Sequence, residues 1–314
     1  MIASSPSFSI SRIFAMVMRH WYLLRSSWPR LLELIYWPLV QMVMWGFLQS
    51  FMAKQTGMLA TAAGTFLAAV LLWDILFRGQ LGFSFSFLEE MWSRNLANLM
   101  ISPLRPIEFV LSMITMSVIR LFIGVVPVTF LAMFFFGFNF WGLGLALGAF
   151  FANLLLTSWA IGLLCAGLVL RNGLGAEGLT WSIMFLFLPL TCVYYPVATL
   201  PVWLQPISWA LPPTAVFEGM RALVLENVFR ADLMLWALAL NVVWIARAGA
   251  GECVPRRSDA MGARAQRRLD RARRLGLHEA DAFVEAHGLA LERWRIAALI
   301  DTCRQIVTGS RAAT

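Results

Sequence analysis

The stretch IEFVLSMITMSVIRLFIGVVPVTFLAMFFFGF, residues 107–138, decides the fold class of this chain. It holds only two charged side chains, Glu108 and Arg120. As a helix it would be about 48 Å long at a rise of about 1.5 Å per residue, whereas a bilayer core is about 30 Å thick. The run therefore predicts a membrane-spanning helix whose first three turns stand in the cytoplasm.

The composition of the whole chain agrees with a membrane protein. Its 314 residues are 60% hydrophobic and 13% charged, while soluble domains are about 45–50% apolar and about 25% charged. Lys54 is the only lysine, so arginine carries the net charge of +8. Arginines placed around apolar runs suit membrane orientation and not nucleic-acid binding. We expect an all-α integral membrane protein that binds no nucleic acid.

Six apolar runs are candidate transmembrane helices, five of them of good length and the sixth short. They are residues 31–52, 61–77 with an extension as far as 87, 107–138, 143–170, 179–195 and 233–246. The sixth run has 14 residues before Arg247 and would span about 21 Å. It can cross only if the helix continues toward residue 254 and Arg247 reaches the headgroups.

The arginines before the first run set the predicted orientation. Arg12, Arg19, Arg25 and Arg30 have no acidic residue among them, so the N-terminus should lie in the cytoplasm of a multi-pass plasma (inner) membrane protein. Residues 11–30 have helical apolar spacing, with Arg12 and Arg19 on the opposite side, which predicts an amphipathic helix on the cytoplasmic leaflet.

The domain organisation follows from these runs. Residues 1–30 form the cytoplasmic amphipathic segment, 31–254 the transmembrane domain and 255–314 an arginine-rich cytoplasmic tail. The tail either binds anionic membrane lipid or has no evolved role.

The charged residues and the helix-breaking proline inside the apolar runs have structural explanations. Asp74 and Arg78 are spaced to pair on one helix face, and Arg120 should reach the inner headgroups. Contact with a transported substrate is the alternative for all three. Pro38 is tolerable because a neighbouring helix can satisfy the carbonyl that it frees.

Two segments are neither spans nor simple loops. Residues 88–110, LEEMWSRNLANLMISPLRPIEFV, predict a short helix with Glu89, Glu90 and Arg94 on its surface, either a solvated loop or a docking helix for a soluble partner. Residues 196–232 are apolar but interrupted by five prolines, which predicts an external re-entrant segment.

Aromatic residues near the ends of the runs have two readings. Most fit an interfacial belt. Alternatively, Tyr194, Tyr195 and Trp203 line a pathway for a lipid-linked or glycan substrate, because aromatic rings can pack on sugars and alkyl chains.

Two motifs and the overall plan resemble the permeases of the ABC-2 type transporter family. The first motif is E-E-x-x-x-R-N-L beginning at Glu89, followed by S-P-L-x-P-x-E beginning at Ser102. The second is the proline-rich stretch LPVWLQPISWALPPTAVFEGMRALV, residues 200–224, which contains E-x-x-R at Glu218 and Arg221. The basic amphipathic N-terminus, six spans and internal termini complete the resemblance.

The resemblance implies a homodimer or heterodimer of permease chains, each driven by a separate ATP-binding subunit that carries ATP and Mg²⁺. This chain would bind no cofactor or metal and have no catalytic residue. A phosphate-binding loop needs a lysine, and Lys54 lies in a predicted external turn. By resemblance, the ATPase-docking residues are Glu89, Glu90, Arg94, Pro103, Leu104, Pro106 and Glu108. The external re-entrant segment is marked by Pro196, Pro201, Trp203, Pro212, Pro213, Glu218 and Arg221.

The resemblance favours an ATP-driven exporter of an amphipathic, lipid-linked or glycan-like substrate. Two other classes have weaker support. A secondary transporter would show broken helices in corresponding halves of the chain, and only the stretch after the fifth run is broken. A membrane-embedded enzyme would cluster titratable residues at one depth, but His20, His278 and His287 all lie outside the runs.

Overall fold

The computed structural model describes residues 8–54, 58–136 and 144–249, and the regular secondary structure within these ranges is helical. The tail, residues 255–314, lies outside the described residues. The helices are α1 (Ile10–Arg25), α2 (Trp28–Ala53), α3 (Met58–Trp92), α4 (Leu96–Ile101), α5 (Pro106–Phe136), α6 (Gly144–Asn172), α7 (Glu177–Leu190), α8 (Gln205–Trp209), α9 (Pro212–Glu226) and α10 (Ala231–Gly249). Short 3-10 helices cover Leu174–Ala176 and Val197–Thr199.

Five of the described helices, α2, α3, α5, α6 and α10, are long and apolar enough to cross a membrane. The predicted fifth span is shorter than expected: α7 has 14 residues, or about 21 Å. It stops at Leu190 because Pro189 lies in its last turn and Cys192 adopts a left-handed φ of 54°. The predicted weak sixth span is longer than expected, because α10 has 19 residues. A six-span arrangement stays a prediction.

Helix α3 is the central element of the bundle. Within its apolar span 83% of the residues are buried, against 17% for α2 and for α10. Its glycines allow close contact with α5: a Cβ on Gly82 would lie 3.0 Å from the Ser117 Cα, and Ser117 Oγ donates to the Gly79 carbonyl at 2.7 Å. Small residues commonly allow such close approach between membrane helices.

Buried apolar side chains form two clusters. The larger one joins α3, α5, α6, α9 and α10 through residues such as Leu72, Leu121, Phe150, Phe217 and Ala237. The smaller one contains Met16, Phe87, Phe109 and Val169. Because Met16 is in α1, this second cluster packs the N-terminal helix against α3, α5 and α6.

Candidate functional site

Glu89 and Glu90 belong to the last turn of α3. The sequence had predicted that they lie on a separate, short surface helix. Glu90 is fully buried and the Glu89 side chain is 9% exposed. A carboxylate at this depth needs partners of opposite charge, and both have them. The contacts are Arg30 Nη1 to Glu89 Oε1 at 3.2 Å, Arg120 Nη2 to both Glu89 oxygens at 3.0 Å, His20 Nδ1 to Glu89 Oε2 at 3.3 Å, and Arg19 Nη2 to Glu90 Oε2 at 3.2 Å.

The prediction that Arg120 reaches the lipid headgroups is wrong. Its side chain is 6% exposed and binds Glu89. Side chains on a helix lean toward its N-terminus, so Arg120 leans toward the N-terminal end of α5, as expected. It meets a carboxylate there instead of a headgroup.

Glu108 forms a second connection to α1. Arg12 Nε and Nη2 donate to its two oxygens at 2.8 and 2.6 Å, and the backbone N–H groups of Ser9 and Arg105 donate at 2.8 and 2.9 Å. The hydrogen bonds to Glu108 raise the pKa of Arg12. Helix α1 is thus tied to α5 near one end and to α3 near the other.

Two of the three arginines of α1 therefore face carboxylates of the same chain. Arg12 contacts Glu108 and Arg19 contacts Glu90, which the apolar spacing of the sequence could not show. Ile10, Phe14 and Tyr22 lie on the exposed part of α1. The position of this helix on the leaflet stays a prediction.

The turn between α3 and α4 is exposed and has a regular pattern of backbone hydrogen bonds. The Asn95 N–H donates to the Glu90 carbonyl at 3.0 Å and the Arg94 N–H to the Met91 carbonyl at 3.1 Å, which is the Schellman pattern. Arg94 occupies the left-handed position with φ of 52°, where glycine is usual. Of the charged residues predicted to dock the ATPase, it alone is exposed in the part of the chain that the structure describes.

Other side chains extend this exposed surface. Trp92 is exposed, and its Nε1 donates to Glu177 Oε2 at 3.0 Å, which brings the start of α7 beside the turn. Pro103 is exposed, while Leu104 and Pro106 are half-buried. The surface around Arg94 therefore includes residues from two connections that are separate in sequence, the one after α3 and the one before α7.

The expected pair within α3 is present. Arg78 Nε donates to Asp74 Oδ2 at 2.7 Å, and Arg78 Nη1 donates to the Leu34 carbonyl of α2 at 2.9 Å. Pro38 has no N–H for the carbonyl four residues earlier, which is that of Leu34. Arg78 supplies the missing donor, so the expectation that a neighbouring helix satisfies this carbonyl is confirmed.

The segment between α7 and α10 is held by Glu218 and Arg221 of α9. Glu218 Oε1 accepts from the Val197 N–H at 2.8 Å and lies 2.9 Å from Arg221 Nη2. Arg221 Nη1 donates to the carbonyls of Cys192 and Val193 at 2.9 and 3.2 Å. Both residues of the E-x-x-R motif therefore fix the backbone that follows α7. Burial raises the pKa of the Cys192 thiol.

The prolines that mark this segment differ in burial. Pro212 and Pro213 are buried at the start of α9, whereas Pro196 and Pro201 are exposed. Indole donors from α10 reach the end of α8: Trp236 Nε1 to the Trp209 carbonyl and Trp244 Nε1 to the Ala210 carbonyl, both at 3.3 Å.

The three aromatic residues proposed to line a pathway differ in their contacts and exposure. Tyr194 stacks on Phe66 with ring centres 5.1 Å apart and contacts Trp45 at 5.3 Å. Tyr195 Oη donates to the Pro189 carbonyl at 2.7 Å. Trp203 is 71% exposed. A shared lining role stays a prediction, and only Trp203 presents most of its ring.

Comparisons with known proteins identify the family. A family model described as ABC-2 type transporter matches residues 11–225, more than half of the chain. A search of curated proteins gives no match. The matched range contains the Arg94 turn, the buried glutamates and the Glu218–Arg221 pair. The chain therefore belongs to the ABC-2 type transporter family, the membrane component of ABC transporters, and is a multi-pass membrane protein.

Proposed function

We propose that this chain is the permease subunit of an ABC exporter, driven by a separate ATP-binding subunit. The observation that carries the proposal is the Arg94 turn. It is an exposed turn at the C-terminal end of the central helix, within a chain of the ABC-2 type family. ATP and Mg²⁺ would bind the partner subunit. Affinity purification of the chain from its native membrane tests this: an ATP-binding cassette protein should co-purify, and absence of a stable complex contradicts the proposal.

The exposed docking surface would be built from Trp92, Ser93, Arg94, Asn98 and Pro103, all of which are exposed. A charged arginine beside an exposed tryptophan is a combination enriched in protein interfaces. The buried carboxylates would support this surface from within the chain.

Charge reversal at Arg94 should weaken ATPase co-purification about tenfold or more, because unfavourable charge contacts at an interface cost several kcal/mol. The matched variant is Arg94→Gly, which suits the left-handed φ and should leave the turn intact or stabilise it by about 1 kcal/mol. Glycine removes the guanidinium, so it should also weaken the complex. Wild-type co-purification of Arg94→Glu would contradict docking at this turn.

We propose that the chain crosses the inner membrane six times with a cytoplasmic N-terminus. Two observations support this topology. Helix α10 has 19 residues, or about 28 Å, and α7 with the preceding 3-10 turn has 17 residues. The contacts of Trp209 and Ala210 with Trp236 and Trp244 place the end of α8 partway along α10, as a re-entrant segment requires.

A cysteine at Glu226 should react with a membrane-impermeant maleimide added to the outside of intact cells. The control is a cysteine at Ser93, which should react only when the cytoplasmic face is open. Residues 226 and 93 are both exposed, and native Cys165 and Cys192 are buried. Cys253 and Cys303 would be replaced by serine. Labelling of residue 226 only in inverted vesicles would contradict the topology.

We propose that the substrate is amphipathic, lipid-linked or glycan-like, and that two permease chains form the pathway. The exposed Trp203 and the neighbouring Val202 and Ile207 give the external segment an apolar, aromatic surface. Such a surface suits alkyl chains and sugar faces better than small ions. Trp203→Ala should therefore reduce export while leaving the complex with the ATPase intact, which a vesicle transport assay would measure.

A further inference from the structure

Glu89 and Glu90 are neighbours in sequence and both contact His20 of α1, but their other contacts go to different parts of the chain. Glu90 contacts Arg19 of α1 at 3.2 Å and the side chain of Asn95 at 2.9 Å. Glu89 contacts Arg30 of α2 and Arg120 of α5. Two adjacent carboxylates thus connect the end of α3 to α1, α2, α5 and the Arg94 turn.

A continuous chain of polar contacts runs from the protein surface to α1 through Glu90. The exposed Asn98 donates to Asn95 Oδ1 at 3.2 Å, and Asn95 Nδ2 donates to Glu90 Oε2 at 2.9 Å. The same Glu90 oxygen lies 3.2 Å from Arg19 Nη2, and Glu90 Oε1 lies 3.6 Å from His20 Nε2. Movement of the turn that carries Asn95 would therefore pull on α1.

Separation of these groups is unfavourable because the carboxylates are buried. Glu90 and His20 are fully buried, and the Arg120 side chain is 6% exposed. A buried carboxylate that loses its partners is left uncompensated, so the joined elements should move together and not slide past one another. Packed and ion-paired elements of this kind can carry coupling between distant sites.

We infer that Glu89 and Glu90 are positioning residues that transmit movement of the ATPase-docked turn to α1, α2 and α5. They would not be residues that touch the ATPase. The inference rests on the proposed function, because it requires a partner that moves the turn. The sequence predicted that these glutamates dock the ATPase. The inference instead assigns their charge to contacts within the chain.

The test uses the complex with the co-purified ATPase in lipid nanodiscs and measures spin-label distances before and after addition of ATP and vanadate. Labels at Tyr22 and Leu238 report movement of the joined unit relative to α10. Both positions are exposed and lie outside the proposed docking surface. In the wild-type background the Tyr22–Leu238 distance should shift on addition of ATP and vanadate.

Glu90→Gln and Arg19→Gln should each leave co-purification of the ATPase unchanged and reduce the Tyr22–Leu238 shift about fivefold or more. The double variant should be no worse than either single one, because both remove the same contact. The Arg19 side chain is 36% exposed, so its variant provides a test if Glu90→Gln does not fold.

The outcomes separate the inference from the proposed function. Loss of co-purification in Glu90→Gln while the wild type still binds would make Glu90 a contact residue and overturn the inference alone. A full ATP-dependent shift in both single variants would also overturn it. If the wild-type chain binds no ATPase, the proposed function fails and the inference fails with it.

Discussion

Replacement of Arg78 by alanine should lower the free energy of unfolding by about 3–5 kcal/mol, the usual cost of breaking a buried ion pair from one side. The variant leaves Asp74 without its cation and the Leu34 carbonyl without its donor. Both groups lie among helices that span the membrane, where water cannot replace the lost hydrogen bonds. Thermal unfolding of the purified protein in detergent would measure the loss.

A variant at Pro38 makes the test specific to the hydrogen bond between Arg78 and the Leu34 carbonyl. Pro38→Ala restores an N–H for the Leu34 carbonyl, so Arg78→Ala should cost about 1 kcal/mol less in that background. The control is Arg247→Ala, at an exposed arginine of α10, which should stay within about 0.5 kcal/mol of the wild type. If Arg78→Ala matched Arg247→Ala, the stabilising role of Arg78 would be disproved.

Replacement of Arg221 by alanine should lower stability by about 3 kcal/mol, because one buried guanidinium serves a carboxylate and two carbonyls. Those groups are Glu218 and the carbonyls of Cys192 and Val193. The loss should also loosen the backbone at Cys192, whose thiol is buried. Reaction of that thiol with maleimide should therefore become faster in the variant.

An exposed ion pair in the same part of the chain provides the comparison. Arg230 Nη2 lies 2.7 Å from Asp232 Oδ2, with both side chains about half exposed or more. Exposed pairs contribute about 0–1 kcal/mol, so Arg230→Ala should change neither stability nor Cys192 reactivity measurably. Equal effects of Arg221→Ala and Arg230→Ala would contradict the role of Arg221 in holding the backbone at Cys192.

The sequence was informative where the determining contact is local. Asp74 and Arg78 are four residues apart, so helical spacing alone predicts their pairing. The need for a donor near Pro38 was also predictable, because proline always frees a carbonyl. The apolar runs predicted the positions of α2, α3, α5 and α6, because helix length and hydropathy are properties of one segment.

Contacts distant in sequence were not predictable in this way. Glu89 contacts Arg120, Arg30 and His20, which are 31, 59 and 69 residues away. Helical periodicity does not predict contacts at such separations. A charged helix end looks solvated until its partners are located. Of the four charged residues predicted to dock the ATPase, only Arg94 is exposed within the described part of the chain, and their docking role stays a prediction.

The bond between Arg78 and the Leu34 carbonyl also sets an order of assembly during synthesis. The two residues are 44 positions apart, so α2 reaches the bilayer before α3, the helix that carries its missing donor. Until α3 enters, α2 has a backbone acceptor that lipid cannot satisfy. We expect α2 to remain beside the insertion machinery until α3 arrives, so that the two helices enter the lipid as a hairpin.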